Sequence, residues 1–234
     1  MISIASYVSE RDTTYWRIIF ESLLKESVLS GVLGLKNKDV LNLYYGLKTQ
    51  YEDISYYWLQ LGIAEQKSND FSKALNHLKQ AHQIRPKAYQ IQHAIARNYL
   101  RHANAEKDKL VAVELFNLGE TMMLQLINSK EGYKEKAKNY SIHCYAHEKI
   151  KFMTRNPEMV NPKICQDLKK YIDKMNGERS DYYRGVVKEF VDMLKKYHLE
   201  NILSMKLGDV YFEAWAQNVN SSVADDEDVL TESV

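Results

Sequence analysis

Proline is close to missing from this chain: 3 of 234 residues, with only 9 glycines. That scarcity suits helices joined by short links, and no stretch reads as a strand. Two cysteines, Cys144 and Cys165, are too few for a disulfide framework. Thirty-two basic residues against 31 acidic ones leave a formal charge of +1. Nothing in that balance points to DNA or RNA, so no nucleic-acid partner is expected. No run of 18 apolar residues occurs, so no membrane span is expected and no membrane partner with it. The first residues, MISIASYVSERDTTYW, lack a basic start followed by an apolar core, so they do not read as a secretory signal. A reducing cytoplasm is the expected compartment, where the sequons at Asn139 and Asn220 would be idle. Catalytic signatures are missing too. There is no G-x-x-x-x-G-K-[ST] phosphate loop, no G-x-G-x-x-G turn, and no nucleophile elbow or Ser-His-Asp pattern.

What is present is helical periodicity. Apolar content is 45%, enough for a core, and the clearest stretch is Ser55 to Ala88. It holds two helical patterns around a polar break at Ser68-Asn69-Asp70. Trp58, Leu61, Gly62 and Ala64 sit on the first; Phe71, Ala74, Leu78, Ala81 and Ile84 sit on the second. Two antiparallel helices pack closely only where side chains are small, so Gly62 and Ala74 mark the expected approach. Ala81 would do the same against the next unit. Asn69 tolerates the left-handed conformation, Asp70 can cap the second helix, and Pro86 stops it.

With Ser55 as position 1, Trp58 falls at 4, Leu61 and Gly62 at 7 and 8, Ala74 at 20, Ala81 at 27 and Pro86 at 32. This spacing resembles the tetratricopeptide repeat (TPR), a helix–turn–helix unit of about 34 residues. Glu65 departs from it, standing where the family usually has an aromatic. The resemblance implies an all-α, TPR-like repeat solenoid, because one hairpin cannot bury its apolar face alone. A second unit starts near Tyr89. Ile95, Ala96 and Tyr99 take positions 7, 8 and 11, its second helix is delayed through Asn104 to Asp108, and Ala112, Phe116 and Gly119 take positions 20, 24 and 27.

Four segments are therefore expected. Residues 1–52 are N-terminal capping helices, one from Thr13 to Leu33 and one from Val40 to Gln50 capped by Asp39. Residues 53–128 hold the TPR-like repeats, 55–88 and 89–128. Residues 129–219 hold degenerate helical repeats: a helix over 131–154 with Ala137, Tyr140, Ser141, Cys144 and Ile150 inward, one from Pro162 to Met175, one ending near His198, and one over 199–217. Residues 220–234 are an acidic tail without core pattern, expected to be disordered. Charge is uneven: residues 129–200 carry 16 Lys/Arg against 11 Asp/Glu, while 201–234 carry one Lys against seven acids.

The stretch from Trp58-Leu59-Gln60 through Ala96-Arg97-Asn98-Tyr99-Leu100 is also similar to the C-terminal repeat arrays of large bacterial STAND, SIR2-like and TIR-like defence proteins. That likeness covers about 50 residues and implies a sensor or adaptor that grips another polypeptide. In the repeat family, positions 2, 5, 9, 12 and 13 line a concave groove. Here they are Tyr56, Leu59, Ile63, Gln66 and Lys67, then Gln90, His93, Arg97, Leu100 and Arg101. Such a groove starts apolar and becomes basic, which suits a peptide with an apolar anchor and an acidic flank. Leu59 and Ile63 replace the Lys and Asn that a C-terminal carboxylate clamp needs. The chain is read as non-catalytic, with no cofactor and no metal.

Three other readings stand beside this one. Arg97 and His102 fit R-x4-H, the short motif of HEPN-type ribonucleases. His143, Cys144 and His147 offer two imidazoles at i, i+4, compatible with zinc but without the Glu of H-E-x-x-H. The helix faces could instead serve an architectural oligomer.

Overall fold

The computed structural model describes residues 24–129, 135–174 and 181–204. Those residues are helical and hold no strand. In order they form α1 (Glu26–Gly31), α2 (Asn37–Tyr51), α3 (Ser55–Lys67), α4 (Phe71–Ile84), α5 (Tyr89–Ala105), α6 (Lys109–Asn128), α7 (Glu135–Arg155), α8 (Pro162–Lys174) and α9 (Asp181–Lys196). The chain divides into two compact units, Met1–Leu126 and Ile127–Val234.

In the first unit α1 packs on α2 and α3, α2 on α3, α3 on α4 and α5, and α4 on α5. The turn between α3 and α4 follows from local chemistry. Asn69 adopts φ 61°, the left-handed region that Asn enters more readily than most residues. Asp70 then caps α4, its Oδ1 accepting from the Lys73 backbone N–H at 3.4 Å. Lys73 also holds the Asp70 carboxyl below its usual range. Arg85, next to Pro86, leaves the helical region at φ −135°, ψ 77°, and α4 ends at Ile84.

Gly62 lies against α4. A methyl group there would sit 2.7 Å from Leu78 Cγ and 3.2 Å from the Ala74 carbonyl. Ala74, Leu78 and Ala81 are fully buried. α6 approaches α5 just as closely, since a Cβ on Gly119 would meet the Ala96 carbonyl and the Leu100 backbone N at 2.9 Å. Between them Asp108 Oδ1 accepts from the N–H groups of Leu110 and Val111, 2.9 and 3.1 Å, and starts α6. α6 is the one helix among the described residues long and apolar enough to cross a membrane, although its sequence is interrupted by Glu114, Asn117 and Glu120.

The aromatic part of this core is tied down by its polar tips, as buried tyrosine and tryptophan require. Tyr57 Oη donates to the Tyr44 carbonyl (3.0 Å), Tyr44 Oη to the Leu24 carbonyl (2.5 Å) and Trp58 Nε1 to the Glu52 carbonyl (2.6 Å). Burial pushes the Tyr57 phenol up to about 12, with Glu65 and Glu52 adding to it.

In the second unit α7 packs on α8 and α9. Its buried residues include Ser141, Cys144, Ile150, Phe152 and Met153. Lys169 is buried on α8 and pairs one turn on with Asp173 at 2.8 Å. Burial raises the Asp173 carboxyl and the Lys169 ammonium works against that rise. Asn156-Pro157 ends α7 in a 3-10 turn.

Several boundaries differ from expectation. The helix expected over Thr13–Leu33 is interrupted: Lys25 is extended (ψ 133°), and α1 starts at Glu26. The Glu26 N–H donates to Gln60 Oε1 (3.0 Å) instead of to a carbonyl four residues back. The portion over 13–23 lies outside the described residues. Asp39 is not the cap of α2, which starts two residues earlier behind an extended Lys36; Asp39 sits in the first turn, where a carboxylate favours the helix dipole. Tyr140 is exposed, not inward. The helix expected from 199 is a 3-10 turn at Glu200–Ile202, after a left-handed His198. Beyond Ser204 that expectation, like the one for 220–234, falls outside the described residues.

Candidate functional site

α3 and α5 supply all ten residues expected to line a groove. These helices are neighbours: Gln66 Nε2, buried on α3, donates to the Ala94 carbonyl of α5 at 2.8 Å. Five of the ten side chains are buried within the chain: Tyr56, Leu59, Gln66, His93 and Leu100. Tyr56 Oη accepts from Arg85 at 3.1 Å, with that guanidinium also over its ring. Leu100 lies under Gly119. His93 stacks along Tyr89, and burial, helped by the Arg97 charge, pushes its imidazole down to about 3. It is therefore a neutral ring at physiological pH and adds no positive charge to the face.

The other five reach solvent to some degree. Ile63, Arg97 and Arg101 are half-buried, and Gln90 and Lys67 are exposed. Lys67 already has a counter-charge, because its ammonium lies 2.5 Å from a carboxylate oxygen of buried Glu26 on α1. The expected trend from apolar to basic along the face thus reduces, at the surface, to Ile63 at one end and Arg97 with Arg101 at the other.

Glu65, the departure from the repeat pattern, is 1% exposed. Its carboxylate is held from two sides, Oε1 accepting from Tyr45 Oη (2.8 Å) and Oε2 facing His77 Nδ1 (2.7 Å). The His77 ring in turn stacks on Trp58, centroids 5.2 Å apart. Burial, followed by the bond to Glu65, raises the Tyr45 phenol above its ordinary value. The two oxygens are thus given to α2 and α4. The signal that was readable is the substitution itself, a carboxylate at an aromatic position, which requires polar partners wherever it is buried.

Arg97 and His102 of the R-x4-H motif stand on one helix, but His102 stacks on Phe71 (5.2 Å) and faces Glu106 at 3.8 Å. On α7 the His143 and His147 rings run parallel, 6.4 Å apart. His147 Nδ1 meets Glu189 Oε2 of α9 at 2.8 Å. Cys144, between them in sequence, is buried. Among the described residues no three His, Cys, Asp or Glu side chains group as a metal site. Compared with family models, with curated proteins and with solved structures, the chain matches none.

Proposed function

We propose that this protein is a non-catalytic interaction module that holds a partner polypeptide across α3 and α5. The contact set is Ile63, Gln90, Arg97 and Arg101, with exposed Lys67 staying on buried Glu26 at the edge of the face. Tyr56, Leu59, Gln66, His93 and Leu100 form the frame that keeps those residues in place. The observation that carries the reading is the Gln66–Ala94 hydrogen bond, which joins the two helices and sets an aliphatic side chain and two guanidiniums on neighbouring elements. A face of this kind suits an apolar anchor followed by an acidic flank. Because packed helices present it ready-made, little ordering entropy opposes binding. The TPR-like spacing, and the likeness to defence-protein sensor arrays, favour the role of sensor or adaptor in a bacterial defence or signalling complex.

The test is capture from host lysate by the full chain beside an Ile63→Asp, Arg97→Glu variant. Both positions are half-buried, and Ile63 packs against the core, so circular dichroism and a thermal melt of the variant accompany the capture. One protein retained by the wild type and lost by the variant identifies the ligand. Equal recovery with both places binding elsewhere and removes this site.

A further inference from the structure

The turn between α1 and α2, Gly31-Val32-Leu33-Gly34, holds two adjacent apolar side chains in solvent, Val32 at 76% and Leu33 at 61% exposure. The N–H groups of both donate to the Val28 carbonyl (2.9 and 3.0 Å), and the Leu35 N–H donates to the Leu29 carbonyl (3.0 Å). Gly34 takes φ 67°, so the chain reverses there at no steric cost. The backbone is therefore fixed while the two side chains project. A Cβ at Gly31 or Gly34 would meet nothing within 4 Å, so the tip is open on both flanks.

Among the described residues that flank this tip in sequence, exposed charge has one prevailing sign. Lys36 and Lys38 follow it directly and are exposed; Lys25 is exposed at the other end of the six-residue α1. Asp39 is the exposed carboxylate nearby, and Glu26 is buried and already paired with Lys67. An apolar tip with a basic rim complements an anionic bilayer, where aliphatic side chains enter the acyl boundary and lysines lie among the headgroups. A lipid surface also needs no matching pocket, which suits two side chains standing alone on a turn.

We propose that the α1–α2 turn is a peripheral membrane contact in which Val32 and Leu33 insert and Lys36 and Lys38 bind anionic headgroups. This departs from the sequence expectation of no membrane partner, and it is independent of the α3–α5 face. Neither two residues nor two lysines anchor a protein firmly, so the contact is reversible and falls with ionic strength.

The experiment is co-sedimentation of the full chain with phosphatidylserine-containing vesicles and with pure phosphatidylcholine vesicles. The wild type is expected on the former and not on the latter, with binding lost on adding salt. Val32→Ser with Leu33→Ser is expected to lower the bound fraction about tenfold, and Lys36→Glu with Lys38→Glu to do the same. Both pairs are exposed, so circular dichroism should be unchanged. Binding that survives Val32→Ser with Leu33→Ser overturns the proposal. So does no binding to either vesicle; capture of a protein that depends on Val32 and Leu33 would then assign the turn to a protein pocket.

Discussion

The two hairpins α3–α4 and α5–α6 solve one packing problem with the same parts placed differently. Each puts one glycine where its helices meet: Gly62 against Ala74 and Leu78 in the first, Gly119 against Ala96 and Leu100 in the second. In the first the glycine is on the leading helix and faces a leucine side chain. In the second it is on the following helix and meets two backbone atoms, the Ala96 carbonyl and the Leu100 N, as closely as it meets Leu100 Cγ. The turns differ as well. Asn69 takes a left-handed conformation before the Asp70 cap. The longer second turn has no left-handed residue and relies on carboxylates, Glu106 Oε1 accepting from the N–H groups of Lys107 and Asp108, and Asp108 starting α6. Close approach is thus the requirement, and which helix supplies the missing Cβ is free to change.

Methyl insertion at the two glycines gives the largest expected effects. Gly119→Ala should cost about 3 kcal/mol, because the carbonyl and N–H it meets cannot rotate away; Gly62→Ala should cost about 2 kcal/mol, since Leu78 can yield a little. Urea unfolding of the two variants ranks them, and the reverse order would break the distinction between backbone and side-chain contact.

The leading helices also bury different ionisable groups, Glu65 in α3 and His93 in α5. His93 titrates near 6.5 when unfolded and near 3 when folded. Between those values the unfolded chain binds a proton that the native chain does not. Its contribution is therefore complete above the unfolded value and is lost as pH falls toward 3, by up to about 1.4 kcal/mol per pH unit. Stability measured at several pH values across that window should decline less steeply in His93→Phe than in the wild type; parallel curves would show that His93 titrates alike in both states.

Smaller effects belong to the turns. Asp108→Ala should cost about 1 kcal/mol through loss of the α6 cap, and Asn69→Ala about 1 kcal/mol through the left-handed penalty. Asn69→Gly should cost nothing, because glycine takes that conformation freely. Thermal melts of the three variants check this, and a costly Asn69→Gly would mean that the asparagine side chain matters more than its backbone.

The contrast also shows what could be read from residues alone. Asn69, Asp70, Pro86 and Gly62 act within one hairpin, and their chemistry was legible because their partners lie close in sequence. The α1 start was not, because its first N–H is bound by Gln60, 34 positions away. The candidate face was half legible. Repeat position placed Ile63, Gln90, Arg97 and Arg101 on α3 and α5, where each retains some exposure. It also selected Leu59, Gln66 and Leu100, whose burial depends on neighbouring helices and on the Gly119 contact. The counter-charge of Lys67 was not legible either, because Glu26 lies on an element with no repeat signature.

Arginine-selective labelling of the full chain, alone and saturated with the captured partner, tests the central claim most directly. The account predicts that Arg97 and Arg101 lose reactivity on binding while Arg155 and Arg184 of the second unit keep theirs. Unchanged labelling at Arg97 and Arg101, with protection at Arg155 or Arg184, would contradict it and move the binding face to the second unit.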